Sequence, residues 1–102
     1  MELGIADRLR LLSVLPSEGN VVTLKIVRDL QAVLSFSEEE VAKAQFTQVG
    51  EQVRWNDSVE LLKEIPIGER ATDIIVAKLK ALDREGQLSL SLLPIYERFV
   101  PD

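Results

Sequence analysis

Eleven glutamates and six aspartates are the side chains whose number invites acid–base or metal chemistry in this 102-residue chain, which has no histidine and no cysteine. Without histidine the commonest general base and zinc ligand is missing, and without cysteine there is no disulfide, thiolate site or thiol nucleophile. With seventeen carboxylates in so short a chain, neighbouring pairs arise by chance, so a two-carboxylate glycosidase-like site is a weak signal. Asp7, Asp29, Asp73 and Asp83 lie opposite or beside apolar stripes of helical period with basic neighbours in reach, the pattern of a solvated face. The stretch ALDREGQLS (81–89) has the flavour of a calcium loop. With Gly86 at the sixth position, however, Ala81 takes the first and Leu92 the twelfth, where carboxylates are required. No phosphate-binding glycine loop, nucleophile elbow or metal-ligand spacing occurs. The reading is therefore not an enzyme, with no cofactor and no metal.

Contact chemistry is the remaining candidate. The chain has only five aromatic residues, Phe36, Phe46, Trp55, Tyr96 and Phe99, and Trp55 follows Arg54. Tryptophan and arginine are the side chains most enriched at binding hot spots, although a tryptophan beneath a hairpin also serves as core cover, and core packing is the favoured role here. Ser37-Glu38-Glu39-Glu40 places three acids in a helical first turn, where they complement the helix dipole. Arg54, Trp55, Glu38 and Glu39 form the candidate interaction surface.

These residues need elements to hold them. Ile5, Leu9, Leu12 and Leu15 share one face of a first helix over 3–15, with Asp7, Arg8 and Arg10 turned away from it. Pro16 and the turn Ser17-Glu18-Gly19-Asn20 end it, and Asn20 caps a second helix to Leu34. There Val22, Ile26, Leu30 and Val33 make a stripe that Leu24, Val27 and Leu34 widen, the mark of a helix contacted from more than one side. Ser37-x-x-Glu40 matches a capping box for a short third helix to about Lys43. The period then alternates: Phe46, Val53 and Trp55 across a glycine turn predict a hairpin over 44–55, and Asn56-Asp57-Ser58 predicts a further turn. Residues 63–67 are predicted as a third short strand, which Pro66 confines to an edge or a strand end. Ala71, Ile74, Ile75, Lys78, Leu79 and Leu82 define the clearest helix, 69–85, with Lys78 snorkelling and Gly86 as its left-handed stop. Ser89 or Ser91 caps a last short helix. The fold class expected is α+β, about five helices with a two- or three-stranded antiparallel sheet.

Leu, Ile and Val supply 34 residues, ample for one core, so residues 1–102 are expected to form a single globular domain. Neither a signal peptide nor a spanning helix is expected, because charges interrupt every apolar run. That points to a cytoplasmic protein with no membrane partner. A net charge of −5 argues against nucleic acid, which is met by a basic footprint. Three helices followed by a hairpin is the order of a winged helix, yet the helix that would enter the groove begins with three glutamates and the hairpin offers only Arg54.

The run LRLLSVLPSEGNVVTLKIVRDL, then SFSEEE, then IPIGERATDIIVAKLKALDREGQLS, resembles small uncharacterised proteins encoded by bacteriophages and prophages. The resemblance spans most of the chain and implies a viral or prophage setting, with a bacterial cytoplasm as location, and carries no functional residues. The expected function is a non-enzymatic protein–protein interaction or structural accessory role, through a protein partner or a homo-oligomer. The alternatives are an acidic inhibitor of a nucleic-acid-binding protein and a winged-helix-like regulator.

Overall fold

Ten elements follow one another along the computed structural model, which describes residues 1–50, 52–56, 58 and 61–100. They are β1 (Glu2–Leu3), α1 (Ile5–Val14), α2 (Val21–Leu34), α3 (Glu38–Ala44), β2 (Thr47–Val49), β3 (Gln52–Arg54), β4 (Lys63–Glu64), α4 (Glu69–Arg84), a 3-10 turn at Leu90–Leu92 and α5 (Leu93–Phe99). The expected α+β class holds, with five α-helices. The strands, however, form two separate antiparallel pairs, β1 with β4 and β2 with β3. The third strand thus does not extend the hairpin. It pairs Glu64 with Glu2 and Lys63 with Leu3, and Ile65 N donates to Met1 O at 2.8 Å.

The boundaries follow local chemistry. Asn20 Oδ1 accepts from Thr23 N at 2.8 Å at the start of α2. Ser37 and Glu40 form the reciprocal box that opens α3. Gly86 adopts φ +68° beyond α4, the left-handed turn that glycine permits without a Cβ clash. Ser89 sits at the start of the 3-10 turn but makes no side-chain cap there. Ala44 closes α3 and is buried, so the hairpin starts later than the expected position 44. Of the expected turns, Glu51 and Asp57 lie outside the described residues.

The core gathers Leu11 and Val14 of α1, Leu30 and Leu34 of α2, Ala71, Ile75 and Leu79 of α4, and Ile95 and Phe99 of α5, with Leu3 and Ile65 beneath the β1–β4 pair. Helix α4 packs on α1, α2 and α5, and α2 lies against both α1 and α4; Val27, Leu30 and Leu34 are buried there, whereas Val22 and Leu24 of the expected arc are 60% and 37% exposed. One expectation is overturned at α1. Its buried row is Ile5, Arg8, Leu11 and Val14, so Arg8 faces inward, with no exposed surface, and Leu9 and Leu12 are only half-buried. A charged head can take a core position when its nitrogens find acceptors, and here all three do.

Candidate functional site

Arg8 joins three elements through its guanidinium. Nε donates to Leu34 O at 3.2 Å and Nη2 to Ser35 O at 2.5 Å, so two carbonyls at the end of α2 that lack helical partners are satisfied. Nη1 and Nη2 also donate to the two Glu40 carboxylate oxygens, at 2.5 and 3.3 Å. This is the forked geometry that only arginine offers. Glu40 meanwhile accepts from Ser37 N at 3.0 Å, so one carboxylate caps α3 and neutralises Arg8. The hydrogen bonds from Arg8, assisted by the Ser37 N–H and against a smaller opposing effect of burial, lower the Glu40 pKa from 4.5 to about 2.

Aromatic rings carry the contact outward. The Arg8 guanidinium carbon lies 4.0 Å from the Phe36 ring centre, a cation–π geometry. Phe36 meets Phe46 edge-on at 4.8 Å, and Phe46 lies 6.3 Å from Trp55. The hairpin register, Thr47 with Arg54, Gln48 with Val53 and Val49 with Gln52, continues to set Phe46 opposite Trp55. Alternation then puts Phe46, Gln48, Val53 and Trp55 on one face, and Thr47, Val49, Gln52 and Arg54 on the other. Trp55 is half-buried over Phe46, whereas all six residues of β2 and β3 are exposed. Its packing is against this satellite cluster and not against the main core.

Arg54 and Trp55 are adjacent in sequence and point to opposite faces of the hairpin. Asn56 N donates to Ala44 O at 2.8 Å, which holds the base of the hairpin beside the last residue of α3. Glu38 and Glu39 are exposed at the other end of that helix, about 10 Å away at the 1.5 Å rise per residue. The structure therefore does not gather the four residues into one cluster, and none of them is in an ion pair among the described residues. The network that holds the hairpin runs instead through Arg8, Glu40 and Phe36. Its one legible trace in the sequence is the position of Arg8 in the row Ile5, Leu11, Val14, one turn from each neighbour.

A concavity of about 420 Å³ opens between α2 and the start of α4, walled by Ile26, Leu30, Val33, Pro66 and Ala71 and rimmed by Asp29, Glu69 and Arg70. Among the described residues no group of three or more carboxylates is placed to hold a metal ion, and no helix is long and apolar enough to cross a membrane. Compared with protein-family models, curated proteins and solved structures, the chain matches none.

Proposed function

We propose that this protein is a non-enzymatic interaction protein that presents the β2–β3 hairpin to a protein partner, in the phage or prophage setting that the sequence resemblance implies. The observation that carries this reading is a hairpin whose six strand residues are all exposed, yet which is braced from behind. Val49 and Val53 are 55% and 43% exposed, on opposite faces, and among the described residues no further strand pairs with the outer edge of β2 or β3. A lone hairpin is marginal in water, and an open edge invites another chain. Phe46, Trp55, Phe36 and Arg8 supply the brace, and the three aromatics contribute nothing to the main core. Such a support is understandable if the element that it holds has work to do at the surface. The unpaired edges suit addition of a partner strand, with Val49 and Val53 as apolar anchors and Arg54 as the polar rim.

A photo-crosslinking side chain introduced at Val49 or Val53 tests the reading in cells of the natural host. Covalent adducts with one protein are expected from these positions and not from Gln31, an exposed residue on α2. Adducts that form equally well from Gln31, or none from the hairpin, would overturn it.

A further inference from the structure

The outer face of α4 carries a charge pattern that its own fold does not use. Glu69, Asp73, Ala77, Lys80 and Arg84 recur at i, i+4, i+8, i+11 and i+15, which places them in one stripe along the helix. All five are exposed, while Ala71, Ile75 and Leu79 face the core. None of the four charges is in an ion pair among the described residues. Within the stripe itself, neighbours one turn apart are alike in sign, Glu69 with Asp73 and Lys80 with Arg84, while the opposite charges Arg70 and Asp83 stand on its flanks, three residues from Asp73 and Lys80. The helix dipole accounts for an acid in the first turn and a base in the last, but its influence fades beyond them. It does not explain Asp73 and Lys80.

We propose that α4 is the contact face of an antiparallel, twofold homodimer. If a second copy is turned about an axis passing between Val76 and Ala77, Glu69 faces Arg84 of the second copy and Asp73 faces its Lys80. Symmetry repeats both, so four pairs of opposite sign form and the like-charge neighbours within each helix are relieved. A parallel arrangement would set Glu69 on Glu69 and Arg84 on Arg84, so the stripe also specifies orientation, as charged flanks do between paired helices. Ala77 lies at the crossing, where a small side chain lets helix axes approach to about 8–10 Å.

The surroundings of the stripe fit the same arrangement. A shallow concavity of about 490 Å³, between Ala77, Lys80, Asp83, Arg84 and Tyr96, runs beside it. A helix stripe alone is small against the roughly 1,600 Å² that stable complexes bury, so apolar area must come from its ends. The end that follows α4 carries Leu90, 84% exposed, and Leu93, 40% exposed. The twofold brings that end toward the start of the other copy's α4. This contact is reciprocal, as a closed dimer requires, and it leaves the hairpin unused.

Light scattering on a sizing column tests the proposal. The mass of the wild type should rise from 11.4 kDa toward twice that value with concentration, and fall back as salt is raised from about 50 to 500 mM, because surface ion pairs are screened. Two double variants sharpen it: Glu69→Lys with Asp73→Lys, and Lys80→Glu with Arg84→Glu. Each alone should associate at least about tenfold more weakly, and an equimolar mixture should form a one-to-one heterodimer, since one stripe is then wholly basic and the other wholly acidic. Circular dichroism checks that each folds. Independently, Ala77→Cys introduces the only cysteine in the chain, and air oxidation should link two copies through it. A mixture that stays at 11.4 kDa, with Ala77→Cys unlinked, overturns the proposal, and is the outcome expected if the stripe serves a different protein.

Discussion

Arg8 has no exposed surface, and two carbonyls at the end of α2 and the Glu40 carboxylate receive its donors. Removing it does more than delete an ion pair: Leu34 O and Ser35 O lose a donor, and Glu40 loses its counter-charge. Arg8→Ala is therefore expected to cost about 3–5 kcal/mol, the range for breaking a buried pair from one side. Arg8→Lys should rescue little, since an ammonium cannot span the two carbonyls and the carboxylate as a planar fork does. Glu40→Gln isolates the charge, because glutamine still serves the third position of a capping box. The pH dependence has a definite sign. The folded pKa of Glu40 is lowered from 4.5 to about 2, so its stabilisation is complete above 4.5 and is lost as pH falls toward 2. Urea melts between pH 6 and about 2 should show the wild type losing its advantage over Glu40→Gln across that window. Parallel curves would refute the assignment.

At the scale of elements, what the sequence made legible and what it hid divide by mechanism. Asn20, the Ser37–Glu40 box, Gly86 and the stripe of α4 act through neighbours a few residues away, so α2, α3 and α4 could be read directly. Arg8 looks solvent-facing from its sequence neighbours because its acceptors lie more than 25 residues along the chain, and no local pattern reports them. The partner of the third strand was hidden for the same reason, since β4 pairs with β1 across about sixty residues. Trp55 shows the consequence for energetics. A fully buried aromatic truncated to alanine costs about 3–5 kcal/mol, but Trp55 is half-exposed and its neighbour is the satellite ring Phe46. Trp55→Ala should then cost less than that range and disorder the hairpin while the helices persist. Leu79→Asp, at a fully buried position in the middle of α4, should unfold the whole domain by burying an unpaired charge. Thermal melts followed by far-ultraviolet circular dichroism separate the two outcomes. A collapse of Trp55→Ala to the level of Leu79→Asp would place the tryptophan in the main core.

The whole molecule has two centres of cohesion of unequal weight. One is the aliphatic core shared by α1, α2, α4, α5 and the β1–β4 pair. The other is the chain of Arg8, Phe36, Phe46 and Trp55, with the buried Arg8 guanidinium at its root, which joins the hairpin to the first. Regions with few buried apolar contacts open locally before the domain unfolds, and β2 and β3 contribute no buried residue. Native-state hydrogen exchange should therefore rank the molecule in two tiers. Amides of Thr47, Val49, Gln52 and Arg54, the inward-facing ones of the register, should exchange by a low-energy local opening, insensitive to small amounts of denaturant. Those of Leu30, Leu34, Ile75 and Leu79 should exchange only through global unfolding, with the full denaturant dependence. Arg8 sets the coupling between the tiers. In Arg8→Lys the opening of the hairpin should fall further in energy than the core does, because the brace is loosened at its root while the aliphatic contacts stay in place. Equal losses in both tiers would mean that the hairpin and the helices form one cooperative unit, and that Arg8 stabilises the fold without serving the hairpin in particular.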